Sequence, residues 1–411
     1  MSPVNCKERT MDKTKKLRLI GVDVARGIAL LGMMAIHILP AWNDDFEPTV
    51  VWTVFSGASA ALFATLAGVG LGFASGGTEP LSGALLTQAR RGLALRAAIV
   101  ALIGLLVAYL EPPAAIILAY YGVMFLMAIP FLGWGIRRLA AVAAAFAVAG
   151  PVFLQLVRDN LPAEDGLDPH LGTLLSDPGG TISTILFTGS YPAAVWMAFI
   201  CAGMAIGRLD LRSVSVQARL LASGAGLAVA TWLASVLLMG PLGGTESLIE
   251  ANRGLMTEEM VTDTLTWGPD PALTTTSWWW LGVLSPYSSM PLEVLNTLGL
   301  AVAVLGAMLL LANRIGSALV PLAAAGAMTL TLYTAHLVML AVGLLVDRPN
   351  VDFVVQAAVL VLFAVIWRNT RGGQGPLERV VARSIQGSLS RLPSQRTVAA
   401  APEDDARDSA P

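Results

Sequence analysis

The sequence predicts an all-α fold, a polytopic transmembrane helix bundle of about ten spans with both termini cytoplasmic. Three observations predict it. Hydrophobic residues make up 55% of the 411 and charged residues 13%, where a soluble domain carries about 25% charged. Mean hydropathy is +0.68. Apolar runs long enough to cross a bilayer recur through residue 367, and basic residues segregate to alternate loops and to both tails.

The first run, 19–39, follows "KTKKLR" but is not a signal peptide. It holds Asp23 and Arg26, exceeds the usual apolar length, and ends "ILPAW" without a small-residue cleavage site. Asp44, Asp45 and Glu47 follow on the outer side. Span 50–74 repeats Ser56, Ala60, Ala64, Gly68 and Gly72 every four residues, a smooth face for close helix contact in lipid. Arg90 and Arg91 precede spans 93–110 and 114–132, and Arg137 and Arg138 precede span 138–157. The external segment 158–182 holds Glu164, Asp165 and Asp168. Span 183–207 then returns to Arg208 and Arg212 on the tail side. Span 218–240 leads to the acidic external segment 241–290, whose "SWWWLG" reads as an interfacial aromatic belt. Span 291–312, Arg314, and spans 318–345 and 351–367 complete the set. No inverted repeat and no paired Gly/Pro-broken helices are apparent.

This divides the chain into a basic N-terminal tail (1–17), a transmembrane domain (18–371) and a cytoplasmic, partly disordered C-terminal tail (372–411). Cys6 and Cys201 are too few and too far apart for a disulfide framework. No metal-type Cys/His cluster is visible, and no nucleic-acid partner is expected.

The chemistry-bearing residues lie inside the spans. At about 100° per residue, Asp23, Arg26 and His37 fall within roughly 60° of one another on the first helix. Asp23 and Arg26 form an i,i+3 pair near its cytoplasmic end, and His37 lies about 16 Å further along. The pair reads either as mutual neutralisation or as a binding site for a phosphate-bearing donor. In "GAMTLTLYTAHLVML", Thr329, Tyr333 and His336 share a face. Each histidine stands 18 residues, roughly 27 Å, into its outward-running span, so the two reach similar depth. Whether their helices are neighbours is not readable. A buried imidazole can be a structural hydrogen-bonding group, a general base, or a transient acyl carrier. Intramembrane ionisable groups also mark proton or substrate paths, so a proton-coupled transporter or exporter is the alternative function.

"RLIGVDVARGIALLGMMAIHI" resembles the opening of the YeiB-like transmembrane acyltransferases, which include heparan-α-glucosaminide N-acetyltransferase and the bacterial DUF418 and DUF1624 proteins. "LFATLAGVGLGF", "IILAYYGVMFLMAIPFL", "SPYSSMPLEVLNTLG", "GAMTLTLYTAHL" and "WRNTRGGQGPLERVVAR" follow in the family's order. The resemblance implies a multi-pass cell-membrane enzyme moving an acyl group from acetyl-CoA or another acyl-CoA to an amine or hydroxyl. The acceptor it implies is a small molecule or a glycan such as a cell-envelope sugar, at the outer face. Membrane lipid surrounds such a protein, and homo-oligomerisation is left open. Arg18, Asp23, Arg26 and Gly27 match the family's N-terminal pattern. In the family the active histidine follows the first helix, where this chain reads "LPAWNDD": either His37 takes the role from a shifted position or this branch works differently. Tyr287 stands where a second histidine is expected. His37 and His336 are thus the candidate catalytic residues. Asp23 and Arg26 are a donor-binding or structural pair, and Arg18, Tyr333 and Tyr287 are supporting polar groups.

Overall fold

Small residues decide how the apolar helices of this chain meet. The computed structural model describes residues 19–162, 168–270, 273–343 and 346–390, and these are helical with no β-strand among them. The first half comprises α1 (Ile20–Ile38), α2 (Val50–Phe55), α3 (Ala58–Ala74), α4 (Gly83–Val107), α5 (Leu118–Ala128), α6 (Ile136–Val157), α7 (Leu171–Ser176), α8 (Pro178–Ser183) and α9 (Ala193–Ile206). The second comprises α10 (Val214–Met239), α11 (Gly244–Ala251), α12 (Glu258–Trp267), α13 (Pro291–Ile315), α14 (Val320–Gly326), α15 (Thr329–Val342), α16 (Pro349–Arg371) and α17 (Pro376–Ser390).

Among the described residues, seven helical segments are long and apolar enough to cross a membrane: α1, α2 with α3, α4, α6, α10, α13 and α16. Two more crossings arise if bent pairs count as one span each. Pro178–Thr188 meets α9 at 54°, and α14 meets α15 at 82°. The remaining predicted span falls on Leu118–Gly133, which is apolar but shorter. The sequence reading found no broken helices, and here the structure differs. The first break is the extended stretch leading to Pro192, which has no N–H to continue a helix.

The second break has a packing cause. A Cβ on Gly326 would strike the Asp23 carbonyl of α1, and one on Gly27 would come within 2.5 Å of the Leu322 carbonyl of α14. Backbone therefore lies against backbone where α14 crosses α1. The chain then turns at Met328, and the α15 N–H groups freed by the break are taken by Glu378 of α17. Residues 376–390, assigned above to the tail, thus pack against the membrane domain.

The most enclosed helix is α9, with Val195 to Cys201 all buried. It rests on the small-residue stripe of α3: a Cβ on Gly68 would come within 3.0 Å of Gly203, and one on Gly72 within 2.9 Å of Gly207. By contrast, α16 exposes Val354, Val355, Val359 and Leu362, an apolar face suited to lipid. Between α10 and α13, helices α11 and α12 form a small cap around Leu248, Val261 and Trp280. The three tryptophans do not act together: Trp278 is exposed, whereas Trp280 is buried and donates its indole N–H to Thr274.

Candidate functional site

Two cavities open within the bundle, and α1 and α15 contribute to its polar interior. The first, about 350 Å³, is lined by His37, Arg158, Tyr191, Tyr287, Ser288 and Ser289 among others. The second, about 420 Å³, is lined by Arg26, Arg96, Tyr121, Thr329, Tyr333 and Glu378 with apolar neighbours. They are called the histidine and arginine cavities below. One layer separates them: Tyr333, on the arginine cavity, donates its hydroxyl at 3.4 Å to the carbonyl of Ala115, which lines the histidine cavity.

The two histidines meet. His37 Nδ1 and His336 Nε2 are 3.1 Å apart, with the ring planes within 4° and the centroids 5.4 Å apart. That separation matches rings joined end to end by an in-plane N–H···N bond, not rings stacked face to face. His336 is fully buried, and its Nδ1 lies 3.0 Å from Gln356 Oε1. Gln356 Nε2 in turn donates to both Asp352 carboxylate oxygens, at 3.0 and 3.1 Å. A polar line thus runs from the cavity ring across α15 to the first turn of α16.

At the other end of α1, Arg26 Nη1 contacts Asp23 Oδ1 at 3.4 Å, and Nη2 donates to the Leu66 carbonyl at 3.3 Å. Arg26 therefore keeps its acid and also lines the arginine cavity. Across that cavity the Arg96 guanidinium sits 5.4 Å over the Phe125 ring. The Tyr121 hydroxyl lines this cavity with no protein hydrogen-bond partner among the described residues. The floor is α17: Glu378 accepts from the Leu330 and Thr331 N–H groups and the Thr331 hydroxyl, while Val381, Ala382 and Ile385 line the space. A third cavity, about 650 Å³, adjoins Asp23, Arg26, Asp210 and Arg212.

Outside the spans, Asp168 holds the segment that divides the two cavities. Both its oxygens accept the Ile116 N–H, at 3.1 and 3.0 Å, next to the Ala115 carbonyl that Tyr333 and Tyr191 address. Burial pushes its carboxyl up to about 6, although the Ile116 bond favours the ionised form.

A family model described as heparan-alpha-glucosaminide N-acetyltransferase, catalytic, matches residues 18–239, just over half of the chain. The chain belongs to this family. It is accordingly an N-acetyltransferase-like membrane protein. Comparison with curated proteins finds none that matches. The family region supplies Arg26, His37, Arg96, Tyr121 and Arg158, whereas Tyr287, Tyr333, His336, Asp352, Gln356 and Glu378 lie beyond it.

Among the residues singled out from sequence, His37 and His336 are brought into contact, and Asp23 and Arg26 are paired. Tyr333 and Tyr287 line different cavities, and Tyr287 holds a left-handed backbone at φ 58°. Arg18 lies outside the described residues. Sequence reasoning missed Gln356, Asp352, Arg96, Tyr121 and Glu378. A signal existed for two of them: Asp352 and Gln356 are polar residues at i,i+4 spacing at the start of an otherwise apolar span.

Proposed function

We propose that the protein is an integral membrane acyltransferase that takes an acetyl or similar group from a cytosolic CoA thioester and delivers it to an amine or hydroxyl at the outer face. The observation that carries this reading is the pair of cavities in series, Arg26 and Arg96 on one side of the Tyr333–Ala115 layer and His37 with Arg158 on the other. The reading takes ten crossings of the plasma membrane with both tails cytoplasmic, so that the arginine cavity opens inward. Arg26 and Arg96 then hold the donor's phosphates, and the thioester arm extends past Tyr121 and Tyr333 toward His37. The acceptor, a small molecule or envelope glycan, enters the histidine cavity beside Arg158 and Tyr287.

Two routes satisfy the chemistry. In the direct route the acceptor nitrogen or oxygen attacks the thioester carbonyl, its proton passes to His37, and the C–S bond breaks to release the thiolate. In the two-step route the unprotonated His37 nitrogen attacks first, the thiolate leaves, and the acceptor then takes the acyl group from the ring. In both, the proton finally neutralises the departing thiolate.

The test is a labelled acetyl-CoA assay on the purified protein, with free thiol and acylated product followed against a panel of amino sugars and glycans. Acyl transfer that disappears in His37→Ala, with the melting profile retained, supports the reading; full activity in that variant removes His37 from it. The two bent helix pairs favour transport as a second reading, since broken helices line substrate paths in transporters. Proton-driven uptake into vesicles without thioester consumption would decide for it.

A further inference from the structure

The polar line behind His37 has a direction. A carboxylate can only accept, so the Gln356 amide must present its NH2 to Asp352, where both oxygens lie within 3.1 Å. The Gln356 carbonyl oxygen is then the atom facing His336 Nδ1, at 3.0 Å. A carbonyl oxygen also only accepts, so His336 Nδ1 carries the hydrogen. A neutral imidazole has one N–H, which leaves His336 Nε2 a lone pair. That lone pair must accept from His37 Nδ1–H across 3.1 Å. By the same count, His37 Nε2 is bare, on a ring that lines the histidine cavity.

Burial enforces this order. His336 is fully buried and Gln356 nearly so, so a group that turned the wrong way would lose its hydrogen bond at a buried site. Reversing one link would set N–H against N–H or lone pair against lone pair at the next. The three helices α1, α15 and α16 thus transmit a choice made at Asp352 to the ring exposed in the cavity.

We propose that Asp352 and Gln356 are positioning residues that fix His37 as its Nδ1–H tautomer and so keep Nε2 unprotonated for the acyl acceptor or the acyl group. The proposal rests on the reading of His37 given above, and its first readout does not depend on activity. The chain has only three histidines. The third, His170, accepts from the Gly172 and Thr173 N–H groups through Nδ1, so it carries its proton on Nε2 and serves as an internal contrast.

The experiment is nitrogen-15 NMR of protein labelled at the imidazole nitrogens, in nanodiscs at about pH 8, where ordinary imidazoles are neutral. His37 and His336 are expected as Nδ1–H and His170 as Nε2–H. In Gln356→Leu and Asp352→Ala, His37 is expected to shift to Nε2–H, with kcat falling about 10²-fold or more and KM for acetyl-CoA little changed. The double variant Asp352→Ala/Gln356→Glu puts a carboxylate directly against His336, and it should restore both the Nδ1–H signal and turnover. Wild-type His37 found as Nε2–H overturns the proposal. So does loss of turnover in Gln356→Leu without a change of tautomer, or a double variant that regains neither signal. A tautomer change with turnover intact supports the positioning role and instead overturns the assignment of His37 to the chemistry. Should Gln356→Leu fail to fold, the double variant, which keeps a polar side chain at 356, carries the test alone.

Discussion

Replacing Arg208 by methionine should destabilise the whole bundle while leaving every cavity residue in place. The guanidinium is buried at the junction of three elements. Nη1 donates to the carbonyls of Gly72, Ser75 and Gly77 at 3.0 to 3.1 Å, Nη2 to Ser75 Oγ at 2.9 Å and to the Leu132 carbonyl at 2.6 Å, and Nε to the Trp134 carbonyl at 3.2 Å. The Gly72 and Ser75 carbonyls lie at the end of α3, where the helix presents its negative pole, and each also accepts one backbone N–H, from Gly77 and Leu81 at 3.0 Å. One cation therefore closes the end of α3 and the turn after α5 from a position just past α9.

Bonds to a charged donor contribute about 1.5–3 kcal/mol each when taken singly, and they are not additive. Methionine fills similar volume but removes the guanidinium from all six acceptors; Gly72 and Ser75 keep the Gly77 and Leu81 N–H groups, and water entering the site recovers part of the remaining loss. A net cost of about 4 kcal/mol follows, similar to breaking a buried charged contact. In detergent the melting midpoint should fall by roughly 8 °C, at about 2 °C per kcal/mol for a chain larger than 200 residues. Arg208→Lys should recover only part of this, because an ammonium offers three donors from one point and cannot span both sides of the junction. Thermal melts with size-exclusion recovery after heating measure both. A lysine variant as stable as the parent, or a methionine variant within about 2 °C of it, would refute the reasoning.

Three further outcomes are expected. Asp168→Asn should raise the melting point at neutral pH but not near pH 4. Burial raises the folded carboxyl to about 6 from an ordinary 3.8, so the folded state binds the proton more tightly, and stability is greatest below 3.8 and falls as pH rises through 6. The cost reaches about 3 kcal/mol above that window; an equal gain at both pH values would contradict this origin. Tyr121→Phe removes a buried hydroxyl that has no protein partner among the described residues, so the ligand-free protein should gain about 1 kcal/mol. Calorimetry should show weaker acyl-CoA binding in the same variant, and unchanged affinity would take Tyr121 out of the donor path. Gly203→Ala drives a methyl into the Thr65 carbonyl between α9 and α3, costing about 1–3 kcal/mol, whereas Gly226→Ala, with open space around it, should melt as the parent does.

Much of the site's frame is legible in the chain, and the reasons it stops are physical. Charges in a lipid-length run mark α1, and counting 18 residues along each span places His37 and His336 at one depth. Depth follows from helical rise, which is local. Adjacency does not, because it depends on Gly27 and Gly326 letting α1 and α14 touch and on the 82° turn that redirects α15. Arg208 shows the opposite hazard. By position it counts as a tail-side loop charge, yet its folded role is to collect carbonyls from segments more than 70 residues away. Glu378 sits in what composition suggests is a polar tail, and only the break between α14 and α15 creates the free N–H groups that make it a cap.

The energetics of the two polar features on α15 differ in a way that suits transfer across a membrane. Tyr333 and His336 are three residues apart, so one helix carries both the layer between the cavities and the relay behind His37. The Tyr333–Ala115 bond is long at 3.4 Å and joins neutral groups, and such a bond contributes about 1 kcal/mol at best. In the proposed reading, opening it would admit a thioester arm at little cost, and the Ala115 carbonyl keeps a second donor at 3.5 Å in Tyr191. The relay is the reverse. Breaking the His336–Gln356 link strands a buried imidazole and a buried amide, at about 1–3 kcal/mol per orphaned group. Motion needed to pass the donor can therefore occur at the tyrosine while the histidine keeps its orientation and tautomer. A helix moving as a rigid whole would disturb both, so on the proposed reading the displacement that would admit the donor falls on the Tyr333 side chain and the Ala115 segment that Asp168 holds.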